Sequence, residues 1–211
     1  MVGAPMMALC VLRSGGKYLP EHVQRLAAQL PGLGLWCLSD VAVPGVPTLP
    51  LRHSWPGWWA KLELFRPDLE GDLLYLDLDS EIVGDLSRLT DLARQQDRSL
   101  LWDDPIRPAH ANSSVMWLRQ ADRGAVWSAF TRSPAANMAA YRQWPDRWGD
   151  QGFIAAHLPN QGRWPAGLIR SWRRECQQGI PPGTVITAWH GKPKPWEAPG
   201  PRAWRTEDVA A

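Results

Sequence analysis

Two short stretches of this chain carry residue types and spacings that can do chemistry. The first, "LLYLDLDSEIVGDL" (73–86), sets Asp77 and Asp79 two residues apart, directly after an apolar run. Two like charges at that spacing are costly to bury unless something positive stands between them. Along a strand, alternate residues share a side, so Asp77 and Asp79 converge while Leu76 and Leu78 face the other way. Converging carboxylates suit a hard divalent cation such as Mg²⁺ or Mn²⁺, which neutralises them and leaves positions for phosphate oxygens. The triplet by itself has a second reading, a solvated strand end with Asp79 or Ser80 capping a helix. Glu81 and Asp85 read as capping and solvated residues.

The second stretch is "AWHGKPKPW" (188–196). A neutral imidazole at His190 is a credible third ligand to a metal, and it tilts the choice from Mg²⁺ toward Mn²⁺. Gly191 lets the backbone approach a ligand closely. Lys192 and Lys194 each precede a proline, which holds both in extended or polyproline conformation. Residues two apart cannot share a face of a three-residue-per-turn helix, so one lysine meets the ligand. Lys192, nearer the metal, is the expected one. The competing reading is a proline-rich linker with solvated lysines.

Elements that must position these residues follow from periodicity. "MMALCVL" (Met6–Leu12) reads as a fully apolar strand. A helix follows from Pro20 to Leu30, and "GLWCLSD" (Gly34–Asp40) is a second strand. The Pro/Gly-rich segment 41–57 reads as an ordered loop over the C-terminal edge of the sheet. "WWAKLELFRP" is a short helix before the acidic strand, and another helix spans Gly84–Arg94. "SLLWDD" and "NSSVMWLR" are strands, "RGAVWSAFTR" and "DQGFIAAHL" helices, and "GTVITAWHG" a last strand. The alternation predicts an α/β domain with a mainly parallel sheet covered on both faces. One domain is expected over 1–196, with a Pro-rich, partly flexible tail over 197–211.

Composition bounds the alternatives. At 211 residues and 45% hydrophobic the chain buries a full core. Net charge is +2, too small to demand nucleic acid, but from Gly162 onward eight Lys/Arg face four Asp/Glu. An anionic ligand would therefore be held near the C-terminal quarter; a solvated basic surface is the other reading. Three cysteines without a C-x-x-C spacing fit reduced thiols in a cytoplasmic protein, and no apolar run approaches a membrane span. Of the 14 tryptophans, Trp36 and Trp117 are expected in the core. Trp55, Trp58, Trp59, Trp144, Trp148 and Trp164 stand beside Pro or Gly, where indole faces can stack on sugars or bases, although core packing is the simpler expectation for each.

Together, "WWAKLELFRP…GDLLYLDLDSEIVGDL", "NSSVMWL", "WGDQGFI" and "WHGKPKPW" occur in one order that resembles GT-A-fold glycosyltransferases, nearest to family 8 and related small bacterial and phage proteins. The resemblance runs from the first strand to about Trp196. It implies a nucleotide-diphosphate-sugar transferase fold and a metal-dependent transfer of a sugar to an acceptor hydroxyl. It implies that Asp77, Asp79 and His190 hold Mn²⁺ or Mg²⁺, that Asp77 also stands near the donor ribose, and that Lys192 grips the diphosphate. By the same likeness Asn112 and Ser113 lie near the donor sugar. Asp150 binds its hydroxyls, Gln151 sits beneath the anomeric carbon, and Lys61 approaches the donor. Residues 12–18 should lie against the base. The nucleotide contacts are not legible in "LRSGGKYLP", so the base stays open, with a UDP-sugar as the first expectation.

The leaving nucleoside diphosphate gathers negative charge in the transition state, which the metal and Lys192 would stabilise. Gln151 is too weak a nucleophile for a stable covalent intermediate, so retention by front-face substitution is expected. The acceptor could be a glycan, a small molecule or modified DNA. A sugar-phosphate nucleotidyltransferase is disfavoured, because "LRSGGKYLPEH" lacks the order of that class's Gly-rich loop. A non-catalytic nucleic-acid or carbohydrate-binding module leaves Asp77 and Asp79 unexplained.

Overall fold

Met6–Leu12 forms an interior strand, β1, because a run apolar at every position suits a strand covered on both faces. In the computed structural model, which describes residues 6–143 and 147–198, β1 is followed by α1 (Pro20–Ala27), β2 (Leu35–Ser39) and β3 (Thr48–Pro50). A 3₁₀ helix (Gly57–Phe65) precedes β4 (Asp72–Leu76), β5 (Ser80–Ile82), α2 (Ser87–Arg94), β6 (Ser99–Asp103) and β7 (Ala111–Leu118). Next come α3 (Gln120–Thr131), α4 (Pro134–Ala140), the two-residue strands β8 (Arg142–Gln143) and β9 (Arg147–Trp148), and α5 (Gly149–His157). The described chain closes with β10 (Gln161–Arg163), β11 (Ile169–Ser171), α6 (Trp172–Glu175) and β12 (Ile186–Ala188).

Seven strands make the main sheet in the order β10-β6-β7-β4-β1-β2-β3. β1 pairs in parallel with both β2 and β4, while β7 runs antiparallel to β4 and β6. Alternation along the strands divides the core in two. Ala8, Cys10, Leu12, Leu74 and Leu76 pack on one face with Val23 and Leu26 of α1. Leu9, Leu73 and Tyr75 pack on the other with Leu62 and Phe65 of the 3₁₀ helix, Phe130 of α3 and Phe153 of α5. β12 belongs to a separate small sheet, β11-β12-β5, where it pairs antiparallel with the strand that follows the acidic turn. That pairing brings the two chemical stretches together: the Trp189 N–H donates to the Asp79 carbonyl (3.1 Å).

Several local expectations change. β4 ends at Leu76, so Asp77 and Asp79 lie in a turn rather than in the strand, and Ser80 starts β5 instead of capping a helix. Glu81 is buried and paired with Arg25 (3.3 Å), whereas Asp85 accepts from the Ser87 N–H as a solvated cap. The 41–57 loop contains β3, an edge strand that tolerates Pro50 because one side of it needs no ladder bonds. The helix after it is 3₁₀, and all of Trp59–Phe65 is buried, so no polar stripe was available to give a helical period. Trp36 is 37% exposed on β2 and is not core, while Trp117 is. Trp144 and the tail from 199 lie outside the described residues. Among those described, no helix is long and apolar enough to cross a membrane.

Candidate active site

A cavity of about 510 Å³ opens where the C-terminal ends of β1 and β4 meet the β12–Trp196 segment and the start of α5. Parallel sheets bind ligands at such strand ends. Its wall carries Asp77, Asp79, Asp150, Lys61, Lys194 and His190, so both chemical stretches contribute.

Lys61, near the middle of the 3₁₀ helix, reaches through the core to this wall. Its ammonium sits 3.0 Å from Asp77 Oδ1, 3.0 Å from Asp150 Oδ2 and 3.0 Å from Ser113 Oγ. The Ser113 hydroxyl in turn donates to Asp150 Oδ2 (2.8 Å), and the Tyr75 hydroxyl donates to Asp77 Oδ1. Burial works against charge on Lys61, but the Asp150 and Asp77 carboxylates outweigh it and hold its pKa above the usual lysine range. The Asp77 pKa is raised as well, here toward the neutral form. Burial raises its pKa, Lys61 opposes, and the Asp79 carboxylate adds to the rise.

Asp79 has a different partner. Lys194 Nζ donates to Asp79 Oδ2 and to the Trp189 carbonyl (2.8 Å), and the Tyr18 hydroxyl donates to the same carboxylate oxygen (2.7 Å). Burial and then the Asp79 and Asp77 charges raise the Tyr18 pKa, so its proton stays in place. His190 turns its Nε2 to Ser171 Oγ (2.6 Å), and burial lowers its pKa, leaving a neutral ring at neutral pH.

The positive charge that the acidic pair requires is therefore supplied by two lysines. Among the described residues no group of three His, Cys, Asp or Glu stands close enough to hold a metal ion. Asp77, Asp79 and His190 share one cavity, and their chemistry suits Mn²⁺ or Mg²⁺. They do not converge as arranged, because Asp79 is held by Lys194 and Tyr18 while His190 faces Ser171.

Known structures share the fold. No protein-family model and no curated protein matches the sequence. By fold, the chain is similar to the glycosyltransferase GlyE of Streptococcus pneumoniae TIGR4 (TM-score 0.63, 16% identity, 90% of this chain and 56% of that one). It is also similar to the galactosyltransferase LgtC solved with donor and acceptor sugar analogues (TM-score 0.54, 13% identity, 90% of this chain and 89% of that one). Mouse xyloside xylosyltransferase 1 gives a TM-score of 0.55 at 12% identity, over 88% of this chain and 97% of that one. The fold is GT-A-like. The chain spans little more than half the length of GlyE.

On this GT-A-like frame the residues singled out in the sequence fall into two sets. Asp77, Asp79, Lys61, Ser113, Asp150, Gln151, His190 and Gly191 all line the cavity. Gly191 has φ +79, and a Cβ there would meet Arg173 Nη1 at 3.3 Å. Asn112 is buried behind the wall. Its Oδ1 accepts from the Ser114 N–H (2.8 Å) and its Nδ2 donates to Gln151 Oε1 (3.5 Å), while Gln151 Nε2 donates to Asp104 Oδ2 (3.3 Å). The Gln151 amide is thus pinned from both sides. Lys192 is exposed and outside the cavity; Lys194, two residues on, is the buried one.

Tyr75 and Asp104 were not singled out, Tyr18 entered only as part of the 12–18 loop, and Lys194 was passed over for Lys192. Tyr75 was within reach of sequence reasoning, because residue i−2 of a strand shares a side with residue i. Of the first loop, Arg13, Gly16, Lys17 and Tyr18 reach the wall. Burial, then the nearby Lys194, lowers the Lys17 pKa. Trp55, Trp59 and Trp164 are buried, but Trp58 (53% exposed) and Trp148 (37%) stand at the mouth with ring centres 5.9 Å apart. Gly149 between Trp148 and Asp150 has φ +58, and a Cβ would come within 3.2 Å of Trp58 Nε1. The basic surplus of the last quarter is partly spent internally, Arg163 on Asp103, Arg170 on Glu175 and Lys194 on Asp79.

Proposed function

We propose that this protein is a glycosyltransferase that moves a sugar from a nucleotide-diphosphate sugar to an acceptor hydroxyl, with retention. The observation that carries the reading is the single cavity, at the strand ends of a GT-A-like fold, that joins Asp77, Asp79, Lys194 and His190 to Asp150 and Gln151. The neighbours of known structure are glycosyltransferases, one of them solved with donor and acceptor sugar analogues.

In this reading the diphosphate lies at the Lys194 end, the base toward Arg13 and Tyr18, and the sugar toward Asp150 and Gln151. Lys194 lines the cavity paired with Asp79 and the Trp189 carbonyl, and by turning from that carboxylate it would meet the charge that grows on the departing diphosphate. Asp150 is held by Lys61 and Ser113, which orients its carboxylate for sugar hydroxyls. Gln151, fixed between Asn112 and Asp104, presents a neutral amide beneath the anomeric carbon, and the departing phosphate takes the acceptor proton. Asp77, Asp79 and His190 would hold Mn²⁺ or Mg²⁺, which supplies charge neutralisation at the diphosphate when bound. Lys194 and Tyr18 both hold Asp79 Oδ2, so a cation bound at this carboxylate would share it with the lysine, and the two contend for its charge.

The test is calorimetric titration with a panel of nucleoside diphosphates and nucleotide-sugars, with and without Mn²⁺. A UDP-sugar is expected to bind, more tightly with Mn²⁺; no binding by any member overturns the reading. An inverted anomeric configuration in the product, read by NMR, would overturn retention alone.

A further inference from the structure

The charged groups on the wall of the candidate active site answer one another, with a single exception. Lys61 answers Asp77 and Asp150, Lys194 answers Asp79, and Arg13 pairs with Asp40 (3.5 Å). Lys17, on the first loop between Gly16 and Tyr18, lines the same cavity and makes no ion pair among the described residues.

What surrounds Lys17 makes this informative. Its ammonium lies 4.8 Å from the centre of the Tyr18 ring, and the Lys194 ammonium lies 5.8 Å from that same ring. A cation against an aromatic face that is open to solvent is weakly held. Asp79 is the carboxylate that acts most on Lys17, yet its Oδ2 already accepts from Lys194 and from the Tyr18 hydroxyl. Two ammoniums thus crowd one tyrosine with one carboxylate between them. The fall in the Lys17 pKa, from burial and then from Lys194, has the sign that such crowding produces.

Like charges gathered without a second carboxylate oppose folding of the empty protein and favour an anion whose charge is spread over several oxygens. A compact ammonium with three donors on a flexible stem can follow phosphate oxygens as their charge grows. We propose that Lys17 is a second diphosphate-binding residue, closing on the donor from the first loop while Lys194 meets it from the segment after β12. The inference rests on the glycosyltransferase reading and adds a residue to its donor site.

The probes are UDP, UMP and inorganic pyrophosphate, titrated against the full chain, with and without Mn²⁺, in the parent, Lys17→Met and Lys17→Arg. Lys17→Met should weaken UDP and pyrophosphate by about ten-fold or more and UMP by less. Its melting temperature should equal or exceed the parent's, because a crowded cation is gone; a merely structural lysine would give the opposite shift. Lys17→Arg, which keeps the charge, should retain most of the affinity. UDP and pyrophosphate affinities within two-fold of the parent in Lys17→Met overturn the inference, as does a Lys17→Arg protein that loses as much as Lys17→Met. In both cases parental binding of UDP leaves the donor reading in place. Pyrophosphate binding that depends on Lys17, without binding of any nucleotide, would retain the anion site and remove the donor reading. A parent that binds none of the probes overturns both.

Discussion

Asp77 and Asp79 are neighbours in sequence, yet the lysines that answer them belong to different parts of the molecule. Lys61 comes from a 3₁₀ helix whose other residues fill the core, and its ammonium touches Asp77, Asp150 and Ser113 at the cavity wall. Lys194 comes from the Pro-rich segment after β12, which rests on the first loop and α1. There the Trp196 indole stacks on His22 (3.8 Å, 26°), and the Arg25 guanidinium lies 5.4 Å from the indole centre. The first lysine is part of the scaffold. The second is held by a strap that packs on its neighbours through a few side chains, so it can exchange partners when a ligand arrives. A binding site needs both, one carboxylate fixed to define geometry and one whose counter-charge can be redirected.

The largest expected effect lies on the scaffold side. Lys61→Met leaves Asp77 and Asp150 facing each other with no cation between them, and breaking a buried pair in this way costs about 3–5 kcal/mol. Urea denaturation should show that loss, and adding Asp150→Asn should restore part of it by removing one of the stranded charges. A Lys61→Met protein as stable as the parent would erase the distinction between scaffold and strap.

Lys194→Ala should behave otherwise. Only one carboxylate loses its cation here, and Asp79 keeps the Tyr18 hydroxyl as a donor, so stability should fall by less than in Lys61→Met. Nucleoside diphosphate affinity should drop about ten-fold or more, roughly 1.4 kcal/mol. Mn²⁺ titrated alone should bind more tightly than to the parent, because its competitor for Asp79 is gone. Opposite shifts for diphosphate and metal would sharpen the comparison. An unchanged Mn²⁺ affinity would show that lysine and cation do not share the carboxylate.

The order of elements and the two acidic residues were legible in the sequence because both follow local rules. Apolar runs such as Met6–Leu12 declare buried strands, and a D-x-D after one declares a charge problem. The solution to that problem was less legible, since it depends on contacts 16 to 115 residues away, Lys61 with Asp77 and Lys194 with Asp79. Choosing Lys192 over Lys194 by nearness to His190 failed to anticipate the burial because the backbone, not sequence distance, decides which side chain turns inward. Lys61 was reached only through the resemblance, because a segment buried all round gives no period that marks one residue as functional.

The smallest expected effect tests how the strap is fastened. His22 Nδ1 accepts from the Leu19 N–H (2.9 Å) while the ring stacks on Trp196, so the neutral ring is the form that fits. Burial lowers the His22 pKa; Glu21 opposes this and Arg25 adds to it. A group whose folded pKa lies below its unfolded value contributes stability above the unfolded value, about 6.5 for histidine, and loses it as pH falls through the folded one. Acid should therefore loosen this contact as pH falls below about 6.5. Protonation removes the acceptor for Leu19 and places a second cation beside Arg25. His22→Phe keeps an aromatic ring against Trp196 without the titration, so its melting temperature should fall less than the parent's below about pH 6.5. Hydrogen exchange should locate the difference, with amides of 189–196 opening in acid in the parent while those of β1 stay protected. Parallel melting profiles for the two proteins would show that His22 does not fasten the strap.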